Sequence, residues 1–210
     1  MPPTDLDDFQ RAWERFDAWL AAHSPAGRAE LLRPATAEQI TAVESAYQVS
    51  LHPHLAALLR LHNGTSDLRA SFDPGRVLPG RHRLGGCKEI VGFREILVDL
   101  SEDWAEAFRD WDEDATEPVE AHLDHWVPFA FSVDGGMVFV DHHPGATYGQ
   151  VYEAGLGAGG TPEYWAADLA DFFERITRAL ETDTAFLYYT PAMCDGRPDD
   201  GGPAVRLLDW

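Results

Sequence analysis

Apolar side chains recur at helical spacing through much of this 210-residue chain and gather as strands in one central stretch. Phe9, Trp13, Phe16 and Leu20 share one helix face, with Asp5, Asp7 and Asp8 at the positive end of that helix. His23-Ser24-Pro25-Ala26-Gly27 breaks it. Thr36-Ala37-Glu38-Gln39 fits a capping box and opens a second helix, whose stripe is Ile40, Val43 and Tyr47. A third begins at Pro53, presents Leu55, Leu58, Leu59 and His62, and stops at Asn63-Gly64. The short link between these two helices predicts that they pack as a pair.

Residues 65–100 read as irregular, with short strands around Val77-Leu78 and near Ile90-Val91. An acidic stretch over 99–120 carries Trp104, Phe108 and Trp111 at helical spacing, and Pro118 ends it. Trp126 to Val133 and Met137 to Asp141 flank Asp134-Gly135-Gly136, a hairpin turn, and Tyr148 to Glu153 supplies a third strand. Thr161-Pro162-Glu163 marks the start of a last helix, with Trp165, Leu169, Phe172, Phe173, Ile176 and Leu180 as its stripe. The Gly-, Pro- and Asp-rich tail from Asp195 reads as loose, with Val205, Leu207, Leu208 and Trp210 available to dock. Helices, then an antiparallel meander, then a helix describe an α+β fold: a meander sheet packed with helices in a single domain.

Charge changes the picture most. Sixteen basic residues face 36 acidic ones, for a formal net charge of −20. Such a field repels nucleic acid and anionic membrane surfaces and attracts basic proteins. Glu102, Asp103, Glu106, Asp110, Asp112, Glu113 and Asp114 make one carboxylate face on the 99–120 helix, a candidate surface for a basic partner. No apolar run is long enough for a membrane span, and the first residues lack the pattern of a secretory signal. Cys87 and Cys194, far apart, read as free thiols in a cytoplasmic protein. Lys88 is the only lysine, an arginine bias that points to a GC-rich bacterial genome.

Signs of catalysis are weak. Gly155-Leu156-Gly157-Ala158-Gly159-Gly160 matches G-x-G-x-x-G between a strand and a helix, but no βαβ unit surrounds it. His122-Leu123-Asp124-His125 and Asp141-His142-His143 lie beside the meander, with the adjacent histidines expected to point to opposite sides. Ser132 lacks a nucleophile-elbow context, and nothing pairs a nucleophile with a base. The residues therefore imply neither a catalytic site nor a metal or other cofactor, although a small metal-dependent hydrolase built on the histidine-rich meander is a third reading.

The order of motifs resembles the SUKH superfamily, the SMI/KNR-type cell-wall assembly regulators and bacterial toxin-immunity domains. Its N-terminal signature is carried by Leu32, Pro34, Ala35, Thr36, Glu38, Ile40, Glu44, Leu51, Pro53 and Leu58-Leu59, then His62, Asn63 and Gly64. The later signature is carried by Trp126, Pro128, Gly136, Val138 to Asp141, Pro144-Gly145, Gly149 and Gln150. The resemblance covers roughly 30–182, leaving 1–29 as an N-terminal helical extension, about 99–120 as an acidic insert and 183–210 as a tail. Of the motif residues, Pro53, His62, Asn63, Gly64, Trp126, Pro128, Gly136, Asp141, Gly149 and Gln150 are expected to be mostly structural. The resemblance implies a non-catalytic domain that binds a protein: an immunity protein neutralising a toxin, which the net charge predicts to be basic, or alternatively a regulator or scaffold of cell-wall assembly or signalling. One departure stands out. The family motif places Leu-Pro directly before its second helix, whereas here His52 intervenes and His54 follows.

Overall fold

The computed structural model describes residues 5–66, 73–105, 119–155, 161–198 and 201–210, with the backbone alone for 102–105. Helix α1 (Leu6–His23) is capped by Asp5, whose carboxylate accepts from the Asp7 N–H, and it buries Phe9, Trp13, Phe16 and Leu20. After the short α2 (Pro25–Ala29), α3 (Ala37–Tyr47) opens on the capping box of Thr36 and Gln39 and closes at Gln48 in the left-handed region. Helix α4 (Pro53–Leu61) starts with His52 as N-cap and Pro53 in its first turn. The short α3–α4 link does not make a packed pair: α3 lies against the helix that starts at Cys87, and α4 lies against α1 and the last helix. The Tyr47 hydroxyl, on the buried stripe of α3, donates to the Ile90 carbonyl.

Strand β1 (Arg83–Leu84) leads into α5 (Cys87–Ala105), which corrects the strand expected near Ile90-Val91. The β-branched pair is helical because Cys87, Ile90 and Leu97 fall on one buried face. Val77-Leu78 forms no strand beyond an isolated bridge from Leu78 to His82. Glu102 and Asp103 belong to the end of α5, while Glu106, Asp110, Asp112, Glu113 and Asp114 lie outside the described residues.

A 3-10 segment, Val119–His125, delivers the chain to the meander: β2 (Trp126–Phe131), β3 (Gly136–Asp141), β4 (Val151–Gly155) and β5 (Glu163–Ala166). All neighbours are antiparallel, in the order β1-β2-β3-β4-β5, with a register shift between Pro128 and Ala130. The chain is thus α+β. Trp126, Phe139, Tyr152 and Tyr164 form an aromatic ladder across four strands, with centroid separations of 4.1, 5.6 and 5.7 Å. From the opposite face Phe129 meets Phe172 of α6 (Leu169–Thr182). Helix α1 in turn seats Phe9, Trp13 and Phe16 around Phe173, so the N-terminal helix is packed into the same core.

Two further expectations are corrected. Thr161-Pro162-Glu163 leads into β5 and not into a helix; α6 begins after Asp168, whose carboxylate accepts from the Asp171 N–H. Trp165 is in helical phase with Leu169, which explains the misreading, yet it is a buried strand residue stacked on Phe172. The glycine-rich stretch therefore joins two strands of one sheet. The described part of the tail forms a hairpin in place of the expected loose segment: β6 (Ala192–Gly196) pairs with β7 (Val205–Asp209), Leu208 is buried, and the Trp210 indole donates to the Val77 carbonyl. Cys87 is buried, Cys194 is exposed on β6, and both are free thiols. No helix among the described residues is long and apolar enough to cross a membrane.

Candidate functional site

The N-terminus of α4 is built from imidazoles. The His52 ring accepts the His54 N–H at 3.3 Å, replacing the hydroxyl or carboxylate of an ordinary N-cap. The His52 N–H donates to His142 Nε2 at 2.8 Å, while His142 Nδ1 donates to the Val140 carbonyl at 2.9 Å. Because a carbonyl only accepts, the His142 proton sits on Nδ1 and the ring is neutral. Burial is the main cause that pushes both His52 and His142 down to about 4. The β3–β4 loop closes over them. Gly149, at φ +87°, leaves the space that His52 fills; a Cβ there would lie 2.7 Å from His52 Nε2. Asp141 and Gly149–Gln150 fasten this loop through backbone bonds, and Asp141 Oδ1 accepts the His143 N–H at 2.9 Å. The motif residues Pro53, Asp141, Gly149 and Gln150 thus converge from two distant parts of the chain. Tyr148 rides on the loop with its ring 5.3 Å from His52.

His52, His54 and Tyr148 form the floor of an open cleft of about 680 Å³ whose walls come from the N-terminal parts of α1 and α6. Asp5, Asp8, Arg11 and Arg15 come from α1, and Asp168, Asp171 and Glu174 from α6. Arg11 pairs with Asp8, and Arg15 with Glu174 and Glu181. His54 is 1% exposed, stacked on Phe9 at 5.3 Å, and its Nε2 donates to the Asp5 carbonyl at 3.1 Å. Its Nδ1 has no hydrogen-bond partner and lies 3.7 Å from Asp168 Oδ1. The cleft is rich in acceptors and negatively charged.

The other motif residues hold the fold. His62 Nδ1 donates to the Leu32 carbonyl, and Asn63 Oδ1 accepts the Cys87 N–H at 2.8 Å, capping α5 from a separate segment. Gly64, at φ +80°, touches Gly85-Gly86 so closely that a Cβ would lie 2.4 Å from the Gly86 nitrogen. The Trp126 indole donates to the Val119 carbonyl, Pro128 sits at the register shift of β2, and Gly136 packs against the Ser132 hydroxyl. The two histidine runs do meet, with His122 stacked on His143 at 3.4 Å, while His142 turns the opposite way into the core. Among the described residues no three His, Cys, Asp or Glu side chains gather as a metal site requires.

Residues 34–175 match the model of the SMI1 / KNR4 family (SUKH-1). The chain belongs to this family. No curated protein matches it. The SUKH-1 match includes His52, His54, Tyr148 and the acidic start of α6, but not α1, so one wall of the cleft lies outside it. His52 and His54 line its floor. Sequence reasoning did not pick out Tyr148, Asp168 or Asp171 as site residues. Asp168-Leu169-Ala170-Asp171 carries a legible N-cap signal, but nothing local shows that it faces Asp5 and His54.

Proposed function

We propose that this SUKH-1 chain is a cytoplasmic, non-catalytic protein-binding domain of the immunity type, which binds and neutralises a basic toxin. The observation that carries this reading is the formal charge of −20 on a SUKH-1 fold, with an open acceptor-lined cleft on its surface. Charge of this size accelerates encounter with a cationic protein and disfavours neutral or acidic competitors.

The test is co-expression with basic effector domains encoded beside the chain, read as growth rescue and as affinity at several salt concentrations. Protection by a complex that weakens as salt rises is the expected result. Alanine at Asp110, Asp112, Glu113 and Asp114 together should reduce affinity by about tenfold and flatten the salt dependence. Unchanged affinity removes the acidic insert from the interface. Tight binding of a neutral or acidic protein with no salt dependence contradicts the basic-partner reading.

A further inference from the structure

His54 Nδ1 and Asp168 Oδ1 face each other at 3.7 Å in the cleft; the oxygen accepts the Asp171 N–H, and the nitrogen, in a ring protonated on Nε2, can only accept. The imidazole is fixed: its Nε2 proton is engaged by the Asp5 carbonyl, and its plane is stacked on Phe9 at 19°. In the singly protonated ring Nδ1 is therefore a bare lone pair on a side chain that is 1% exposed, without a partner. Buried polar atoms without partners are rare, and two acceptors turned toward each other call for a donor between them.

The charges around this point are unevenly matched. Arg11 answers Asp8, and Arg15 answers Glu174 and Glu181. Asp5 and Asp168 each accept one backbone N–H, and neither has an arginine or lysine partner among the described residues. The floor beside them is the flat ring of His52, which burial keeps neutral, with Tyr148 next to it. A cation with N–H groups in one plane fits flat rings and a carboxylate better than a compact ammonium does. The cleft, at about 680 Å³, also has room for the backbone that would carry such a group.

We infer that this cleft receives an arginine side chain of the protein partner, whose guanidinium donates to His54 Nδ1 and Asp168. The inference rests on the protein-binding reading and deepens it by naming the residue type that is read. It assigns a role to His52 and His54, on either side of Pro53, and to the α1 wall.

Three short peptides differing only in one central arginine, lysine or citrulline are titrated into the full chain and followed by nuclear magnetic resonance, including the imidazole nitrogens. The arginine peptide should shift the His54 nitrogens and bind at least about tenfold tighter than the lysine peptide, with citrulline weaker still. Asp168→Asn retains a good N-cap for α6 while deleting the charge, and should cost the arginine peptide about tenfold or more. Equal affinity for lysine, no loss in Asp168→Asn, or a doubly protonated His54 paired with Asp168 before any peptide is added would overturn the inference. Free arginine binding as tightly as the peptide would also overturn it, by making the cleft a small-molecule site. A basic toxin that binds and is indifferent to Asp168→Asn sinks the cleft inference alone. Arginine-peptide binding with no protection from any basic effector sinks the immunity reading alone.

Discussion

Helix α4 has a histidine at each end, and the two ends are finished differently. At the C-terminal end the polar groups tie the helix to other segments: His62 reaches the Leu32 carbonyl, Asn63 caps α5 and approaches Gln39, and the Gly64 carbonyl accepts the Leu32 N–H. At the N-terminal end the His142 ring is closed in the same way and His52 accepts the His54 N–H, but His54 keeps one buried nitrogen unpartnered at the edge of a cleft. Both ends use short, locally polar sequence, so polarity does not separate a joint from a site. What separates them is whether the hydrogen bonds close inside the molecule.

The largest effect should come from breaking the closed end. Gly64→Ala forces a side chain into the left-handed region and against the Gly86 backbone, so thermal unfolding should show a loss of about 3 kcal/mol. The second test addresses the open end through pH. His52 and His142 are held down to about 4 against an ordinary 6.5, so the unfolded chain binds more protons between those values. Stability contributed by the neutral rings is complete above about pH 6.5 and falls as pH drops toward 4. At pH 5 the loss should be on the order of 2 kcal/mol for each ring, and His142→Gln should show a shallower pH slope in denaturant titrations. A slope identical to wild type would show that the buried rings are not what titrates.

Asn63→Ala removes the cap from α5 and should cost about 1–2 kcal/mol, with earlier hydrogen exchange at the start of that helix. Smallest of all is Arg15→Gln at the rim. Its ion pairs to Glu174 and Glu181 join α1 to α6, but the side chain is 39% exposed, so less than about 1 kcal/mol should be lost, and less again in high salt.

The sequence was most legible where signals are local. The capping box at Thr36, the apolar faces of α1, α3 and α4 and the hairpin at Asp134-Gly135 are each written within one or two turns of chain. Helix α5 was missed at its start because its cap, Asn63, stands 24 residues away and Gly85-Gly86 reads locally as a turn. Strand β5 was taken for helix because Trp165 is buried in phase with α6 by tertiary packing. The cleft was legible only as an oddity, the two histidines around Pro53, since its walls join residues 5–15 to residues 168–174. The acidic face proposed from composition lies mainly outside the described residues, whereas the acidic groups that the fold brings together are others.

The unequal burial of the two cysteines has a practical side. Cys87 is enclosed, and burial raises its thiol above the usual range, so little thiolate is available for alkylation. Cys194 stands exposed on the C-terminal hairpin. A maleimide fluorophore should therefore attach at one position of the unmutated chain, giving a reporter whose colour or anisotropy follows complex formation without any engineered substitution.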